Sequence, residues 1–275
     1  MAYSSRVCLR TYWATQQETG PPFDSGAVAM INRQSQPSEG EEERMTAPQE
    51  KNLGFIVHTR VERPPRHLVE PFKEFAACNV CDALGRFGAM HDTIKPVVPG
   101  WRLAGPAITV RSRPCDNLLI YKALELAQPG DVLVIANYQY ETNATWGDLT
   151  SMIGKARGLA GVVTDGLVRD IAGLRQVGLP VFARGLTPNS PMKDGPGEIN
   201  VPISCGGVVV NPGDIIVGDD DGVVVVPRAD AELVIERTRT IMEKEEKTVR
   251  DIQAGRLIPE WVNRTLAEKG CQIVE

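Results

Sequence analysis

Gly-Val-Val-Thr-Asp-Gly-Leu-Val-Arg-Asp, the stretch at residues 161–170, decides the fold class of this chain. Its first four residues are small or β-branched and predict a buried strand, and the polar residues behind them predict a loop that opens a helix. The apolar segment at 131–136 predicts another buried strand, and the amphipathic segment at 117–127 predicts a helix before it. Strands that alternate with helices in this way are typical of an α/β fold.

The same alternation continues on both sides of this stretch. The turn Pro-Gly-Asp occurs at 129–131 and again at 212–214, each time before a Val/Ile-rich segment, which suggests two related β layers. Further elements follow from the spacing of apolar residues: strands at 103–111 and 180–183, a short helix after Pro64, helices at about 146–158 and after Arg169, β segments at 200–210 and 214–226, and two terminal helices from Ala229 onward.

Composition excludes several classes of protein. The chain has 275 residues, is 42% hydrophobic and carries a formal net charge of -5, so a dense basic face of the kind that binds nucleic acid is not expected. No apolar run approaches the roughly 20 residues that span a bilayer, and the first residues lack a secretory apolar core. We therefore predict a cytoplasmic protein that binds neither membrane nor nucleic acid.

The amino-terminal region differs from the rest of the chain. Residues 1–50 mix Gly, Pro, Ser, Gln and Glu without an apolar period and predict a disordered extension, whereas residues 51–275 predict one α/β domain. The six cysteines are scattered, as expected for reduced thiols. Cys78 and Cys81 are predicted to lie one helical turn apart as small apolar residues, because no second pair follows at zinc spacing.

Two polar clusters are the candidate site. The first is Gly147-Asp148-Leu149-Thr150, at the start of a predicted helix, where free backbone N–H groups favour an anion such as a substrate carboxylate. Alternatively, Asp148 serves only as a helix cap.

The second cluster is Arg169-Asp170, which follows the strand at 161–164 and opens the next helix. Loops beyond the carboxyl ends of parallel strands are where open α/β sheets bind ligands, so both clusters are expected at the same edge. Arg169 offers a planar fork for a carboxylate or enolate, and Asp170 offers the oxygen ligands that Mg²⁺ or Mn²⁺ prefers. Alternatively, the pair is a helix cap with a surface ion pair.

The spacing of these residues resembles that of a known family. Asp148, twenty intervening residues and Arg169-Asp170 match the D-x20-R-D signature of the class II pyruvate aldolases that cleave 4-hydroxy-4-methyl-2-oxoglutarate and 4-carboxy-4-hydroxy-2-oxoadipate. The resemblance covers roughly residues 60–255. It continues through Gly173, Gly178, Pro180, residues 181–185 (Val-Phe-Ala-Arg-Gly), Asn200-Val-Pro-Ile, Gly206-Gly207-Val, Pro212-Gly213-Asp214 and 221–227.

The resemblance implies a compact α/β/β fold of the swivelling-domain type with terminal helices, shared with the regulator of ribonuclease activity A. It also implies a homotrimer or hexamer with sites at subunit interfaces. Carried over to this chain, Asp170 would bind a divalent cation, Mg²⁺ or Mn²⁺, and Asp148 would hold water bound to that cation. Arg169 would bind the 2-oxo acid and stabilise its enolate, and the backbone of Gly147–Thr150 would supply donors.

The implied reaction is retro-aldol cleavage of a 4-hydroxy-2-oxo acid to pyruvate and a second 2-oxo acid. Decarboxylation of oxaloacetate passes through the same enolate and is an expected side activity. His58, His67 and His91 precede the motif, so water on the metal is the expected base. Weaker candidates for the far carboxylate, drawn partly from the expected trimer interface, are Arg63, Lys193, Glu198 and Glu245.

Two other functions remain open at this point. A protein-binding regulator of the ribonuclease-regulator-A type has the same fold but lacks the aspartate at the position of Asp148, so that residue favours the enzyme. A phosphate- or nucleotide-binding protein is less favoured, because neither G-x-x-x-x-G-K-[ST] nor G-x-G-x-x-G follows a predicted strand.

Overall fold

The structure, a computed structural model, describes residues 53–274, so the extension predicted at residues 1–50 lies outside the described residues. The helices are α1 (Arg66–Val69), α2 (Ala77–Ala83), α3 (Leu118–Leu126), α4 (Asp148–Ala156), α5 (Ile171–Val177), α6 (Ala231–Gln253) and α7 (Glu260–Glu268), with 3-10 turns at Glu70–Lys73 and Arg228–Asp230. The strands are β1 (Phe55–Val57), β2 (Lys95–Pro96), β3 (Leu103–Ser112), β4 (Val132–Ala136), β5 (Ala144–Trp146), β6 (Gly161–Thr164), β7 (Leu167–Val168), β8 (Val181–Ala183), β9 (Gly185–Leu186), β10 (Gly197–Ile199), β11 (Ile203–Cys205), β12 (Val208–Val210), β13 (Ile215–Asp219) and β14 (Gly222–Val226).

The main sheet has the strand order β1-β10-β3-β4-β6-β8-β2. Strands β3, β4, β6 and β8 are parallel, and α3 connects β3 to β4, as the alternation of strands and helices predicted. At the two sides of this parallel core, β10 is antiparallel to β3 and β2 is antiparallel to β8, and β1 is parallel to β10. The α/β fold class is therefore confirmed.

Strand β3 joins two β layers. Its amino-terminal half pairs with β13, ending at Pro106 opposite Ile215, and its carboxyl-terminal half pairs with β4, beginning at Ala107 opposite Val132. Both partner strands start directly after a Pro-Gly-Asp turn. The repeated turn thus begins two strands that pair with adjacent residues of β3.

Three buried clusters fill the space between the layers. One packs α3, α4 and α5 on one face of the parallel sheet and includes Ile120, Trp146 and Leu174. A second packs the other face against β11–β14, and a third packs β13 and β14 against α2 and the first turns of α6. The first three layers follow the order helix, sheet, sheet, which agrees with the predicted α/β/β architecture, and α2 and the first turns of α6 cover the outer face of β13 and β14.

Several local predictions need correction. The helix predicted from about residue 146 begins at Asp148, because Ala144–Trp146 pairs with β7 as a strand. The β segment predicted at 200–210 is two short strands, and Asn200 lies before them in the left-handed conformation, with φ of 59°. Cys78 and Cys81 do lie in one helix, but Cys78 is exposed rather than packed in the core. None of the helices at residues 53–274 is long and apolar enough to cross a bilayer.

Candidate active site

The two predicted clusters meet at the carboxyl ends of two adjacent parallel strands. Strands β5, β7 and β9 form a small parallel sheet in that order, separate from the main sheet. Gly147 follows β5, and Arg169 follows β7. The two clusters therefore lie at the same edge, as predicted. Arg169 does not directly follow the strand at 161–164, however, because the unpredicted strand β7 lies between them.

Helix α4 begins without using Asp148 as its cap. Gly147 is the N-cap residue, and its backbone N–H donates to Thr150 Oγ1 at 3.0 Å while that hydroxyl donates back to the Gly147 carbonyl at 2.9 Å. Asp148 is the first helical residue and accepts the backbone N–H of Leu149 at 2.7 Å. Because Gly147 and Thr150 form the cap, the simple cap interpretation of Asp148 is wrong.

The Arg169 and Asp170 side chains pair with each other at the rim of the same site. Arg169 Nε donates to Asp170 Oδ2 at 3.0 Å, and Arg169 Nη1 donates to Ser190 Oγ. Asp170 is the N-cap residue of α5 in the left-handed conformation, with φ of 61°. The ion pair that the sequence left open is therefore present, at about one third exposure of both side chains.

Two glycines make room for the acidic side chains. A Cβ at Gly173 would lie 2.6 Å from Asp148 Oδ2, and a Cβ at Gly147 would lie 2.9 Å from Asp170 Oδ2. Real Cβ atoms do not approach other atoms so closely. The Asp148 carboxylate is thus seated against the backbone of α5, which begins at the residue after Asp170.

The side chains surround one open pocket with an empty volume of about 600 Å³, part of it solvent at the mouth. The lining includes both acids, Arg169 and the start of α4. It also includes Lys193, whose ammonium lies 5.9 Å from the centre of the Tyr121 ring. The remaining lining residues are Asn117, Thr145, Trp146, Ser190 and Pro191.

Burial raises the pKa of the Asp148 carboxyl, and the nearby charge of Asp170 raises this pKa further. The Leu149 N–H and the Arg169 guanidinium act in the opposite direction and lower it, without cancelling the rise. Two carboxylates held close enough to disfavour each other's charge are stabilised by a bound cation.

These carboxylates fit a hard cation that keeps much of its water shell. Within the described part of the chain, no group of three or more His, Cys, Asp or Glu side chains is arranged to hold a metal. Mg²⁺ is typically bound through one or two carboxylates, with water and substrate oxygens completing its six ligands. Asp148 and Asp170, each seated against a glycine that leaves room for it, therefore suit Mg²⁺ or Mn²⁺ better than a site built wholly from protein ligands.

Lys193 alone of the weaker candidates lines this pocket. Arg63 makes a two-pronged ion pair with Asp131, at 2.8 and 2.7 Å. Glu198 pairs with Arg111, and Glu245 accepts the side-chain amide of Asn79. Whether Arg63, Glu198 or Glu245 reaches the site of another copy of the chain stays a prediction.

Six pocket residues were not predicted from the sequence as site residues: Asn117, Tyr121, Thr145, Trp146, Ser190 and Pro191. Asn117 is 4% exposed, and its Oδ1 has no hydrogen-bond partner among the residues that the structure describes. A polar residue at the first turn of an amphipathic helix was the available signal for Asn117. For Ser190 the sequence held no signal, because it lies in an irregular segment twenty-one residues beyond the arginine it contacts.

Comparison with known proteins identifies relatives of this chain. Residues 77–225, more than half of the chain, match the family described as RraA-like, Aldolase/RraA. A protein of Halalkalibacterium halodurans named "Putative 4-hydroxy-4-methyl-2-oxoglutarate aldolase" is 40% identical over 184 residues, which are 67% of this chain and 88% of that protein.

Solved structures with the same fold include both unassigned and regulatory proteins. An uncharacterized protein from Pseudomonas syringae is 28% identical with a TM-score of 0.62, over 70% of this chain and 96% of that one. Streptomyces coelicolor RraAS2, described as an unusual member of the RNase ES inhibitor RraA protein family, is 31% identical with a TM-score of 0.61, over 68% of this chain and 98% of that one. The matched residues contain both site clusters, and the chain therefore belongs to the RraA-like family of aldolases and ribonuclease regulators.

Proposed function

We propose that this protein is a divalent-metal-dependent pyruvate aldolase that cleaves a 4-hydroxy-2-oxo di- or tricarboxylic acid, with oxaloacetate decarboxylase activity. One observation carries the proposal: Asp148, Arg169 and Asp170 line a single pocket at the amino terminus of α4. A non-catalytic scaffold has no need for two mutually repelling carboxylates beside an arginine in an open pocket.

The cation would be held by Asp170 directly and by Asp148 through water. When bound, Mg²⁺ or Mn²⁺ supplies Lewis-acid polarisation of the 2-oxo group. The chain supplies the other elements. The Gly147 and Leu149 N–H groups already donate to Thr150 Oγ1 and Asp148 Oδ1, so the other backbone N–H groups at the start of α4 would bind a substrate carboxylate, whose negative charge the helix dipole favours.

Arg169 would stabilise the enolate that cleavage of the carbon–carbon bond leaves behind. Its guanidinium is held by Asp170 on one side and by the Ser190 hydroxyl on the other, so its position is fixed before substrate binds. In enzymes generally, preorganised charges of this kind contribute more to catalysis than any other single effect. Lys193, a further cation in the lining of the pocket, would pair with the far carboxylate and thereby favour substrates with two or more acidic groups.

The assembly is proposed on the resemblance alone. A homotrimer or hexamer would place residues of one copy beside the pocket of another, for which Arg63, Glu198 and Glu245 are candidates.

The test is pyruvate release, coupled to lactate dehydrogenase, from 4-hydroxy-4-methyl-2-oxoglutarate and from oxaloacetate. Wild type is assayed with Mg²⁺ and then with EDTA, beside Asp170→Ala and the control Asp82→Ala, whose side chain is 54% exposed on α2. We expect turnover that requires metal in wild type and control, and none in Asp170→Ala. Pyruvate release that persists in EDTA would refute metal dependence.

A protein-binding regulator is the second candidate, supported by the similarity to the RNase ES inhibitor family member. It predicts that neither substrate yields pyruvate under any metal condition. The ratio of the two turnover rates, in contrast, separates an aldolase from a decarboxylase.

A further inference from the structure

We propose that Asp116, a residue outside the pocket, is a positioning residue that fixes the pocket wall carrying Ser190 and Lys193. This inference rests on the proposed function. Asp116 is 2% exposed and follows Cys115, whose φ of 67° turns the chain between β3 and α3. It is not among the residues that line the pocket.

The Asp116 carboxylate binds two separate segments at once. Oδ1 accepts the backbone N–H of Leu118, the first residue of α3, at 2.8 Å. Oδ2 accepts the backbone N–H groups of Asp194 at 2.6 Å and Gly195 at 2.9 Å. Three backbone donors thus converge on one buried carboxylate, and hydrogen bonds to an ionised acceptor are roughly twice as strong as neutral ones.

Each of these segments contributes to the pocket. Tyr121 lies on α3, and Asn117 directly precedes that helix. The irregular segment 187–195 contributes Ser190, Pro191 and Lys193. Backbone hydrogen bonds between Met192 and the turn, to the Cys115 carbonyl at 2.6 Å and from the Asn117 N–H at 3.0 Å, lie beside the carboxylate. Asp116 therefore sets the distance between α3, which carries Tyr121, and the segment 187–195, which carries Lys193.

A displacement of this segment would also move Ser190, whose hydroxyl accepts a hydrogen bond from the Arg169 guanidinium. Displacement of a binding group by about 1 Å is enough to lower rates a hundredfold in enzymes generally. Asp148 and Asp170, by contrast, lie on α4 and at the start of α5, so metal binding should not depend on Asp116.

Asp116→Asn is the informative substitution because it keeps the size of the side chain. The amide presents one oxygen and one NH₂ group, so at least one of the three N–H donors would face another donor. The matched control is Asp214→Asn. Asp214 is 5% exposed and likewise accepts backbone N–H groups, those of Asn211 at 2.8 Å and Arg228 at 3.0 Å, in a turn that does not line the pocket.

The experiment combines steady-state kinetics on 4-hydroxy-4-methyl-2-oxoglutarate with amide hydrogen exchange of the full chain, at a temperature where all variants are folded. For Asp116→Asn we expect KM to rise about tenfold, kcat to fall because Ser190 is displaced, the Mg²⁺ concentration for half-activation to stay within about twofold, and exchange in peptides covering 190–195 to accelerate. Asp214→Asn should leave KM and that exchange unchanged. Ser190→Ala should lower kcat and keep the wild-type exchange at 194 and 195.

Unchanged exchange at 190–195 in Asp116→Asn would overturn the proposal, as would faster exchange with an unchanged KM. If Asp116→Asn does not fold, Asp116→Ser provides the same comparison with one remaining acceptor. If wild type turns over neither 2-oxo acid, the proposed function fails, while the exchange result still decides whether Asp116 holds the segment.

Discussion

Two pairs of aspartates in this molecule stand at the starts of elements, and they differ in how their oxygens are used. Asp131 and Asp214, in the two Pro-Gly-Asp turns, have donors on both carboxylate oxygens. Asp131 accepts from Arg63 and from the Gln128 N–H, and Asp214 accepts from Asn211 and Arg228.

Asp148 and Asp170 present the opposite arrangement. Among the described contacts each accepts one hydrogen bond, from the Leu149 N–H and from Arg169 respectively, and the two carboxylates lie close enough to repel each other. Acids that stabilise the fold are fully satisfied, whereas acids that face the pocket keep acceptor capacity for a ligand. For these aspartates, unused hydrogen-bonding capacity is thus a better sign of function than a position at the start of a strand or helix.

The largest expected effect is a loss of stability on removal of an aspartate whose two carboxylate oxygens both accept hydrogen bonds. Asp131→Ala leaves Arg63 without its partner next to a buried turn, and loss of one member of such a pair costs about 3–5 kcal/mol. We expect a correspondingly lower free energy of unfolding in urea, with kcat of the folded fraction unchanged. Wild-type stability in Asp131→Ala would contradict the comparison.

Arg169→Ala should have the next largest effect, on turnover rather than stability. Removal of a preorganised charge costs on the order of a hundredfold or more in kcat, about 3 kcal/mol. The urea midpoint should move little, because the side chain is one third exposed. The control is Arg175→Ala, in the last turn of α5 and outside the pocket, which should retain wild-type kcat.

Gly173→Ala should reduce turnover by about tenfold, because the added Cβ would contact the Asp148 carboxylate at 2.6 Å and displace it by a fraction of an ångström. Gly185→Ala provides the control, since its Cβ would meet only the end of the Leu167 side chain at 3.3 Å. Equal kcat in the two variants would show that the position of the Asp148 carboxylate against Gly173 does not matter for catalysis.

The smallest expected effect is a gain in stability. The folded-state pKa of Asp148 is raised, so its charge destabilises the fold at neutral pH, and this penalty fades as pH falls through the folded value toward the unfolded one. Without divalent metal, Asp148→Asn should raise the free energy of unfolding at pH 7 by less than about 1 kcal/mol. The gain should vanish near pH 3, as thermal unfolding at both pH values would reveal.

The sequence predicted the elements with strong apolar patterns and missed those defined by distant contacts. Buried runs such as 131–136 and the amphipathic helix at 117–127 are determined by local spacing, and they form as predicted within one or two residues. Strand β7 has two residues and exists because it pairs with β5 and β9, which a local pattern cannot reveal. Helix α4 starts later than predicted for the same reason.

The site divides in the same way. Asp148, Arg169 and Asp170 stand in helix-start contexts that can be recognised along the chain. Ser190 and Asp116 have partners that are far away in sequence, so only the folded chain brings Ser190 to the pocket and joins Asp116 to the segment at 194–195.

The comparison between the two pairs of aspartates is tested most directly by Mg²⁺-dependent pyruvate release from four variants side by side. These are Asp148→Asn, Asp170→Asn, Asp131→Asn and Asp214→Asn, assayed on the folded fraction of each. We predict turnover reduced at least a hundredfold in the first two and retained in the last two, which should instead unfold at lower urea concentrations. Full turnover in Asp148→Asn and Asp170→Asn, or its loss in folded Asp131→Asn and Asp214→Asn, would contradict the account.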